Sequence, residues 1–123
     1  MTTIKDAIDD LFNNPMLTTE AAVERHFDSA FRQRVNGTWS DRPAFVARID
    51  QLRAAGAQAT MTVLDEFSEG DRYAERHVIE LRMRDGARVC QEVSLFAMRG
   101  PDGRFLRIEE TTLALEPCAA TIS

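Results

Sequence analysis

The chain has 123 residues, of which 44% are hydrophobic and 28% are charged, and its formal net charge at pH 7 is −5. This length is enough for one domain, residues 1–123, whose core needs no disulfide or metal ion to be stable. The acidic balance, with basic residues spread along the chain, argues against a nucleic-acid partner. No stretch approaches the ~20 apolar residues of a membrane span, and none resembles a signal peptide. We therefore expect a cytoplasmic protein with no membrane association.

The two cysteines, Cys90 and Cys118, are predicted to be separate thiols. Cys90 lies within a predicted strand and Cys118 in the C-terminal tail, and neither has metal-ligand spacing. Two cysteines do not form a disulfide framework. Because cytosolic proteins keep their thiols reduced, we expect both side chains to be unpaired.

The first part of the chain, residues 3–34, predicts two amphipathic helices. The first covers residues 3–12 with Thr3 as its N-cap, and the second starts at Thr18 or Thr19 and fades near Arg34. Both predictions depend on the helical spacing of apolar residues. The first stripe is Ile4, Ala7, Ile8, Leu11 and Phe12, and the second is Val23, Phe27, Ala30 and Phe31.

A third helix is predicted near the middle of the chain. Ser40 or Asp41 caps it, and Pro43 is tolerated in its first turn. Gly56 is a suitable residue to end it. Its apolar stripe is Phe45, Val46, Ile49, Leu52 and Ala55.

The second half of the chain predicts four strands joined by turns. Asp85-Gly86 is the strongest turn signal, because this pair favours a two-residue hairpin loop. Three helices followed by four strands predict an α+β fold with the helices on one face of an antiparallel sheet. The predicted strands are residues 59–67, 73–83, 87–99 and 105–115.

Side chains alternate between the two faces of a strand, so parity predicts which residues face the core. In strand 73–83 together with Arg84, the parity that begins at Ala74 is charged at four of its six positions and should meet water. The other parity is mainly apolar and carries Glu75 and His77 inward with it. Its members are Tyr73, Glu75, His77, Ile79, Leu81 and Met83.

The last three predicted strands, residues 73–83, 87–99 and 105–115, form an antiparallel meander. The second and third of these strands have less clear faces. In the last strand, Glu110 shares the inward parity with Leu106 and Ile108. Both parities of strand 87–99 mix polar and apolar residues. That mixture favours a strand covered on both sides, with a partner subunit on one of them.

Several pieces of the chain, in this order, resemble the nuclear-transport-factor-2-like superfamily, which includes SnoaL-like polyketide cyclases and ketosteroid isomerase. The resemblance covers residues 5–115, which leaves a tail with Pro117 that we expect to be loosely held. The pieces are Phe31–Gly37, Pro43–Ile49, Val63–Asp65, Glu69–Arg72, Arg76-His77, Val93–Phe96, Asp102–Arg104 and Ile108–Glu110.

The resemblance implies a cone in which a curved antiparallel sheet holds three helices in its concave face and leaves an apolar pocket at the wide end. It also implies a homodimer formed through the outer face of the sheet. Because such folds host isomerases, cyclases, epoxide hydrolases, dehydratases and binding proteins, the fold does not determine the activity.

The familiar catalytic carboxylates of these relatives do not match this sequence. Ketosteroid isomerase has a carboxylate base after the second helix, where this chain has Gln33 and Arg34. SnoaL-like cyclases have an aspartate near the end of the last strand, at a position equivalent to about Leu113 here. Glu109 or Glu110 corresponds only loosely, and the Asp-Arg-Asp set of limonene epoxide hydrolase cannot be assembled.

His77 is the first candidate for catalysis. Histidine titrates near neutral pH, with a pKa of about 6.5, so in a dry pocket it can take or give a proton. The alternative is a core histidine hydrogen-bonded to a neighbouring carboxylate or carbonyl group.

Three glutamates, Glu75, Glu92 and Glu110, have parities compatible with the pocket. A buried carboxylate is costly unless it is paired or takes up a proton. Each is therefore a candidate partner of His77 or a general base with a raised pKa. The alternative for Glu75 and Glu92 is pairing at the rim of the sheet with Arg88, Arg99 or Arg107.

Aromatic residues supply candidate ligand contacts. Tyr73 and Trp39 are the only Tyr and Trp, and either can line the pocket mouth and donate a hydrogen bond. The alternative is a packing residue with its polar tip at the surface. Phe31 and Phe96 are predicted in the core or the pocket wall, and His26, among charged neighbours, is predicted to be solvated.

Two functions remain open from the sequence. The first is acid–base isomerisation, cyclisation or dehydration of a small apolar carbonyl compound, with His77 as acid or base and Glu92 or Glu110 as its partner. The second is a non-catalytic module of the same fold that binds a small apolar molecule or dimerises. The sequence has no Gly-rich phosphate loop and no His/Cys metal spacing, so neither function is expected to need a metal or another cofactor.

Overall fold

The structure, a computed structural model, describes residues 1–118. The helices are α1 (Ile4–Ile8), which continues as a π-helical segment (Asp9–Asn13), α2 (Thr19–His26) and α3 (Arg42–Ala54). The strands are β1 (Phe27–Val35), β2 (Thr38–Asp41), β3 (Gln58–Glu69), β4 (Arg72–Arg82), β5 (Arg88–Arg99) and β6 (Phe105–Ala114). The chain is therefore α+β.

The helices begin where side-chain caps satisfy their first free N–H groups. Thr3, Thr18 and Asp41 each accept a hydrogen bond from the backbone N–H three residues further along the chain, at 3.0–3.1 Å. Just after α3, Gly56 has a φ of +77°, a conformation that glycine adopts without steric cost. These caps confirm the predicted starts of the helices and the predicted end of α3.

The sheet has six strands in the order β2-β1-β6-β5-β4-β3. All neighbours are antiparallel except β1 and β6, which are parallel. The prediction of a purely antiparallel sheet is therefore wrong, because the sheet is mixed. The three strands of the predicted meander are confirmed as β4, β5 and β6.

The extension of the second helix to Arg34 is also wrong, since α2 ends at His26 and Phe27 begins β1. Phe27 and Phe31 are four residues apart, which matches a turn of helix. Four is also an even number, so these two residues face the same side of a strand. Both are buried in the structure, and the spacing alone could not distinguish the two conformations.

One hydrophobic cluster joins helical and strand residues. It includes Ile4 and Leu11 of the first helical segment, Ile49 of α3, and Val93 and Ile108 of the sheet. An aromatic group lies within it, with Phe27, Phe31 and Phe45 in mutual ring contact at centroid distances of 4.7–5.1 Å.

The prediction of two unpaired thiols is wrong, because a disulfide joins Cys90 to Cys118. Their Cα atoms are 5.4 Å apart, within the range that a disulfide spans. The backbone N–H of Leu115 donates to the carbonyl of Cys90, which brings the end of the chain beside β5. The expectation of a loosely held tail after Leu115 is therefore corrected as far as Cys118; the remaining tail residues lie outside the described part of the chain.

Within residues 1–118, no helix is both long enough and apolar enough to cross a membrane.

Candidate functional site

One face of β4 places an ionisable pair in the core. Tyr73, Glu75 and His77 are all buried, whereas Arg76, on the opposite parity, is exposed. The predicted inward parity of this strand is confirmed for these residues, whereas Val78, on the parity predicted to meet water, is also buried.

Glu75 and His77 form a buried pair. Their side chains are 0% and 4% exposed, and a hydrogen bond of 2.6 Å joins Glu75 Oε1 to His77 Nδ1. The second carboxylate oxygen of Glu75 is buried and has no hydrogen-bond partner among the described residues. The bond fixes the orientation of the imidazole and leaves Nε2 as the ring nitrogen free for other contacts.

Glu110 lies two strands away on the same inner face. Its cross-strand neighbour is Leu95, which in turn lies opposite Glu75, so the Cα atoms of the two glutamates are ~10 Å apart. Gln33 of β1 donates a hydrogen bond from Nε2 to Glu110 Oε1 at 2.5 Å. The parallel pairing of β1 with β6 brings these two residues together.

Burial raises the pKa of Glu110 above its ordinary value, because removing a carboxylate from water disfavours its charged form. The hydrogen bond from Gln33 and the electrostatic effects of Arg48 and His77 oppose this rise in pKa, whereas the electrostatic effect of Glu75 adds to it. The net effect is a carboxyl group that holds its proton to a higher pH than an exposed glutamate.

His77 and Glu110 border the same cavity, which has a volume of about 130 Å³. Its walls come from α1 and the π-helical segment, from α3, and from β1, β4, β5 and β6. Most of the lining is apolar, including Leu11, Phe45 and Leu95. The polar residues of the lining are Gln33, Arg48, His77, Gln91 and Glu110.

This arrangement provides two proton-transfer groups in apolar surroundings. The imidazole of His77 can accept a proton, and the carboxyl of Glu110, with its raised pKa, can donate a proton or a hydrogen bond. Pairs of titratable groups in different environments are how sites combine acid and base chemistry at one pH.

Glu92 and Phe96 face away from this cavity, contrary to the prediction that they contribute to the site. Side chains of β5 alternate, and Val93, Leu95 and Ala97 are the buried set. Glu92 therefore lies on the outer face, and Phe96 is 74% exposed there. The mixed polarity of this strand concealed which parity faced the core.

Tyr73 does not line the cavity either, although it is buried. Its hydroxyl accepts a hydrogen bond from the backbone N–H of Ile4 at 3.2 Å and donates one to Glu66. Burial, together with the contact to Glu66, raises the pKa of the Tyr73 phenol. Tyr73 thus fastens α1 to the sheet.

The other two predicted aromatic contacts are also outside the lining. Trp39 is on β2, 40% exposed, with the guanidinium of Arg32 4.4 Å from the ring centroid. Phe31 is 1% exposed and packs against Phe27 and Phe45, which themselves line the cavity. Phe31 therefore supports the cavity wall from behind.

His26 is buried, so the prediction of a solvated side chain is wrong. Its Nε2 lies 2.5 Å from Asp10 Oδ2, and its Nδ1 contacts the hydroxyl of Thr2. Burial opposes ionisation of Asp10, but hydrogen bonds from His26, Asn14 and Arg25 together hold its pKa below the ordinary value. This cluster connects the N-terminal segment to α2.

Sequence reasoning missed Gln33, Arg48 and Gln91 as cavity residues. Arg48 had a visible signal, because it follows Phe45 by three residues and precedes Leu52 by four, within the apolar stripe of α3. Gln33 and Gln91 had no comparable signal, since their placement depends on the pairing of β1 with β6 and on the facing of β5.

Among residues 1–118, no group of three or more His, Cys, Asp or Glu side chains converges in an arrangement suited to a metal ion.

No protein-family model matches the sequence, and no curated protein matches it significantly. Solved structures do match. An NTF2-like protein of unknown function from an Exiguobacterium species is 17% identical, with a TM-score of 0.64 over 93% of this chain and 99% of that one. A protein of the SnoaL-like family from Agrobacterium tumefaciens is 12% identical, with a TM-score of 0.61 over 89% and 92% of the two chains. An LEH-like epoxide hydrolase from M. tuberculosis is 11% identical, with a TM-score of 0.70 over 89% and 79%. At these identities the likeness concerns architecture, and it confirms the predicted resemblance: the chain has the nuclear-transport-factor-2-like fold found in SnoaL-like proteins.

Proposed function

We propose that this chain is a single SnoaL-like domain that carries out cofactor-independent acid–base chemistry on a small apolar carbonyl compound. In this proposal the helices close the concave face of the curved sheet, and the cavity between them is the reaction site. The observation that carries the proposal is the position of His77 and Glu110, two titratable groups on one largely apolar cavity. Such a cavity with a few converging polar groups is the usual form of a small-molecule site.

His77 acts as the base and Glu110 as the acid. Nε2 of His77 removes a proton from the carbon next to the carbonyl group, and Glu110, when it carries its proton, donates a hydrogen bond to the carbonyl oxygen. Glu75 holds the imidazole in place and stabilises its charged form during the reaction. Return of the proton to a different carbon gives isomerisation, and loss of a hydroxyl group with the proton of Glu110 gives dehydration.

Gln33 lies in the segment of the chain in which ketosteroid isomerase has its carboxylate base. An amide cannot remove a proton from carbon, but its N–H group bonds Glu110 here at 2.5 Å. The acid–base groups of this site are therefore on β4 and β6 instead of β1. The LEH-like epoxide hydrolase shares the fold, and its chemistry supports the proposal only as an example of what such a cavity can host.

Deuterium exchange tests the proposal without knowledge of the natural substrate. Proton removal next to a carbonyl group incorporates deuterium from D₂O, which NMR detects in cyclohexanone or 2-cyclohexenone. We expect His77→Gln, whose amide can still bond Glu75, and Glu110→Gln to lower the exchange rate by about 100-fold or more. Glu109→Gln is the matched control, since Glu109 lies on the outer face of the same strand. Wild-type rates in both cavity variants would remove these residues from the proposed roles.

A non-catalytic binding module is the second candidate, and the missing family carboxylates favour it. In that case small ketones raise the melting temperature of the protein by mass action and are recovered without deuterium. Exchange that disappears in the His77 variant excludes this candidate.

A homodimer through the outer face of the sheet is part of the proposal. Phe67 and Phe96 are 70% and 74% exposed there and lie on one cross-strand row, with Ala74 between them. Solvent-exposed aromatic side chains that share one cross-strand row are typical of an interface. We expect a dimer in sedimentation analysis and a shift to monomer in Phe96→Glu; an unchanged mass for the variant contradicts this arrangement.

The disulfide bears on the predicted cytoplasmic location. Bonds of this kind persist mainly in oxidising compartments. A cytoplasmic protein is therefore expected to have Cys90 and Cys118 reduced in the cell and able to react with a thiol reagent before lysis. Protection of both thiols in the cell indicates an oxidising compartment instead.

A further inference from the structure

Arg48 is the cation at the mouth of the cavity. It belongs to one stripe of α3 with Phe45, Ile49 and Leu52, and all four residues line the cavity. The three apolar members are buried or half-buried, whereas Arg48 is exposed. A long side chain that both lines the cavity and reaches water marks the point where the cavity opens.

The guanidinium of Arg48 makes no hydrogen bond or ion pair with any residue of the described chain. Other arginines of α3 are engaged: Arg42 pairs with Glu24 at 3.0 Å, and Arg53 bonds the hydroxyl of Thr19 at 3.1 Å. Arg48 acts on Glu110 only through its charge. Its five N–H donors therefore remain available to a ligand.

The charges around the cavity leave this cation without a fixed counter-charge. His77 and Glu75 are paired with each other. No hydrogen bond or ion pair joins Glu110 to Arg48, so the carboxyl group acts on this cation only at a distance. A guanidinium presents a planar fork that matches a carboxylate through two parallel hydrogen bonds.

The size of the cavity limits the rest of the ligand. Its volume is about 130 Å³. An apolar cavity of ~150 Å³ accommodates a molecule such as benzene. One six-membered ring or a short branched chain fills this space, whereas a fused polycyclic body does not.

We propose that the site binds a small organic carboxylate, with its carboxylate on Arg48 at the mouth and an apolar body no larger than one ring inside the cavity. This inference rests on the proposed function, because it identifies the ligand class of the same cavity. A ligand held in this way lies in the cavity that His77 of β4 also lines. Arg48 is then the residue that selects acids over neutral compounds of the same shape.

Calorimetric titration with three probes tests this selection. Benzoate combines one ring with a carboxylate, benzamide has the same shape without the charge, and 2-naphthoate adds a second ring. We expect wild-type protein to bind benzoate more tightly than either of the others. Arg48→Gln should weaken benzoate binding by about 10-fold or more and leave benzamide binding unchanged, since the lost contact is a charge-assisted hydrogen bond. Arg34→Gln removes the same charge on β1 without touching the cavity lining, and should bind benzoate as wild type does.

The outcomes separate this inference from the proposed function. The proposal that the ligand carries a carboxylate is refuted by equal affinity for benzoate and benzamide. It is also refuted if Arg48→Gln keeps wild-type affinity for benzoate. Binding of 2-naphthoate as tight as that of benzoate overturns the size limit. Deuterium exchange that is lost in His77→Gln, together with either of these results, leaves the acid–base proposal intact and refutes only the ligand class. Arg48-dependent benzoate binding without any exchange supports the ligand class in a binding module.

Discussion

Replacing Glu110 by glutamine should change how the stability of the protein depends on pH. Burial raises the pKa of Glu110 above its ordinary value of 4.5, so the folded state holds this proton more tightly than the unfolded state. The stabilisation by this proton is fully present below pH 4.5 and is lost as pH rises through the raised pKa. The side-chain amide in Glu110→Gln keeps an acceptor for Gln33 but does not titrate. The variant should therefore not show this decrease in stability as pH rises.

The size of the effect follows from proton linkage. In the interval between 4.5 and the raised pKa, the folded state binds up to one proton more than the unfolded state. The free energy of unfolding of the wild type should then fall, relative to the variant, by up to about 1.4 kcal/mol per pH unit. Gln33, Arg48 and His77 reduce this difference and Glu75 increases it, because they act on the charged form of Glu110.

Urea unfolding followed by circular dichroism from pH 4 to pH 8 measures this difference, with the disulfide kept intact. Subtracting the wild-type curve from that of Glu110→Gln cancels the titration of groups that do not interact with Glu110. Glu109→Gln serves as the control and should run parallel to the wild type, because Glu109 faces outward beside Arg107. Parallel curves for wild type and Glu110→Gln, or a wild type that gains relative stability as pH rises, would refute the account of Glu110.

Three further changes test the fold. Phe31→Ala should lower the free energy of unfolding, measured in urea, by about 3–5 kcal/mol, because it empties a fully buried position. Trp39→Ala should lower it by less, because that ring is 40% exposed. Similar losses of stability in both variants would contradict the assigned burial. Cys90→Ser should leave one thiol, Cys118, that reacts with a thiol reagent without prior reduction. It should also lower the free energy of unfolding by about 3 kcal/mol, because it removes a crosslink that spans 28 residues. Two reactive thiols in untreated wild-type protein would contradict the disulfide. Asp41→Ala should cost about 1 kcal/mol, measured in the same way, since its side chain caps α3, and an unchanged stability would show that the cap contributes nothing.

Local signals were sufficient for much of this fold. The alternation of β4 placed Glu75 and His77 in the core. Asp85-Gly86 marked the position of the hairpin to β5, but the loop is longer than the predicted two residues, because Arg82 pairs with Arg88. Each signal depends on neighbours a few residues away, which is the range over which side-chain periodicity and turn preferences act. Glu110 was placed inward by the same alternation.

The incorrect predictions involve contacts between distant parts of the chain. Phe27 and Phe31 fit a helix and a strand equally well, and the parallel pairing of β1 with β6 decides between them. Cys90 meets Cys118 only because β6 brings the end of the chain back beside β5. Glu92 lies on the parity opposite to the buried residues Val93, Leu95 and Ala97, and no local pattern reveals which parity of β5 is buried.

The parallel pairing of β1 with β6 also determines the order in which the molecule can be completed during synthesis. The hydrogen bond from Gln33 to Glu110 joins residues 77 positions apart, so β1 leaves the ribosome long before its partner exists. Closing so long a loop carries an entropic cost and slows folding. The hairpin of β1 and β2 cannot take its place in the six-stranded sheet until β6, which lies between β1 and β5, has been synthesised. The carboxyl of Glu110 can therefore acquire its amide partner only after residues 34–109 have been synthesised.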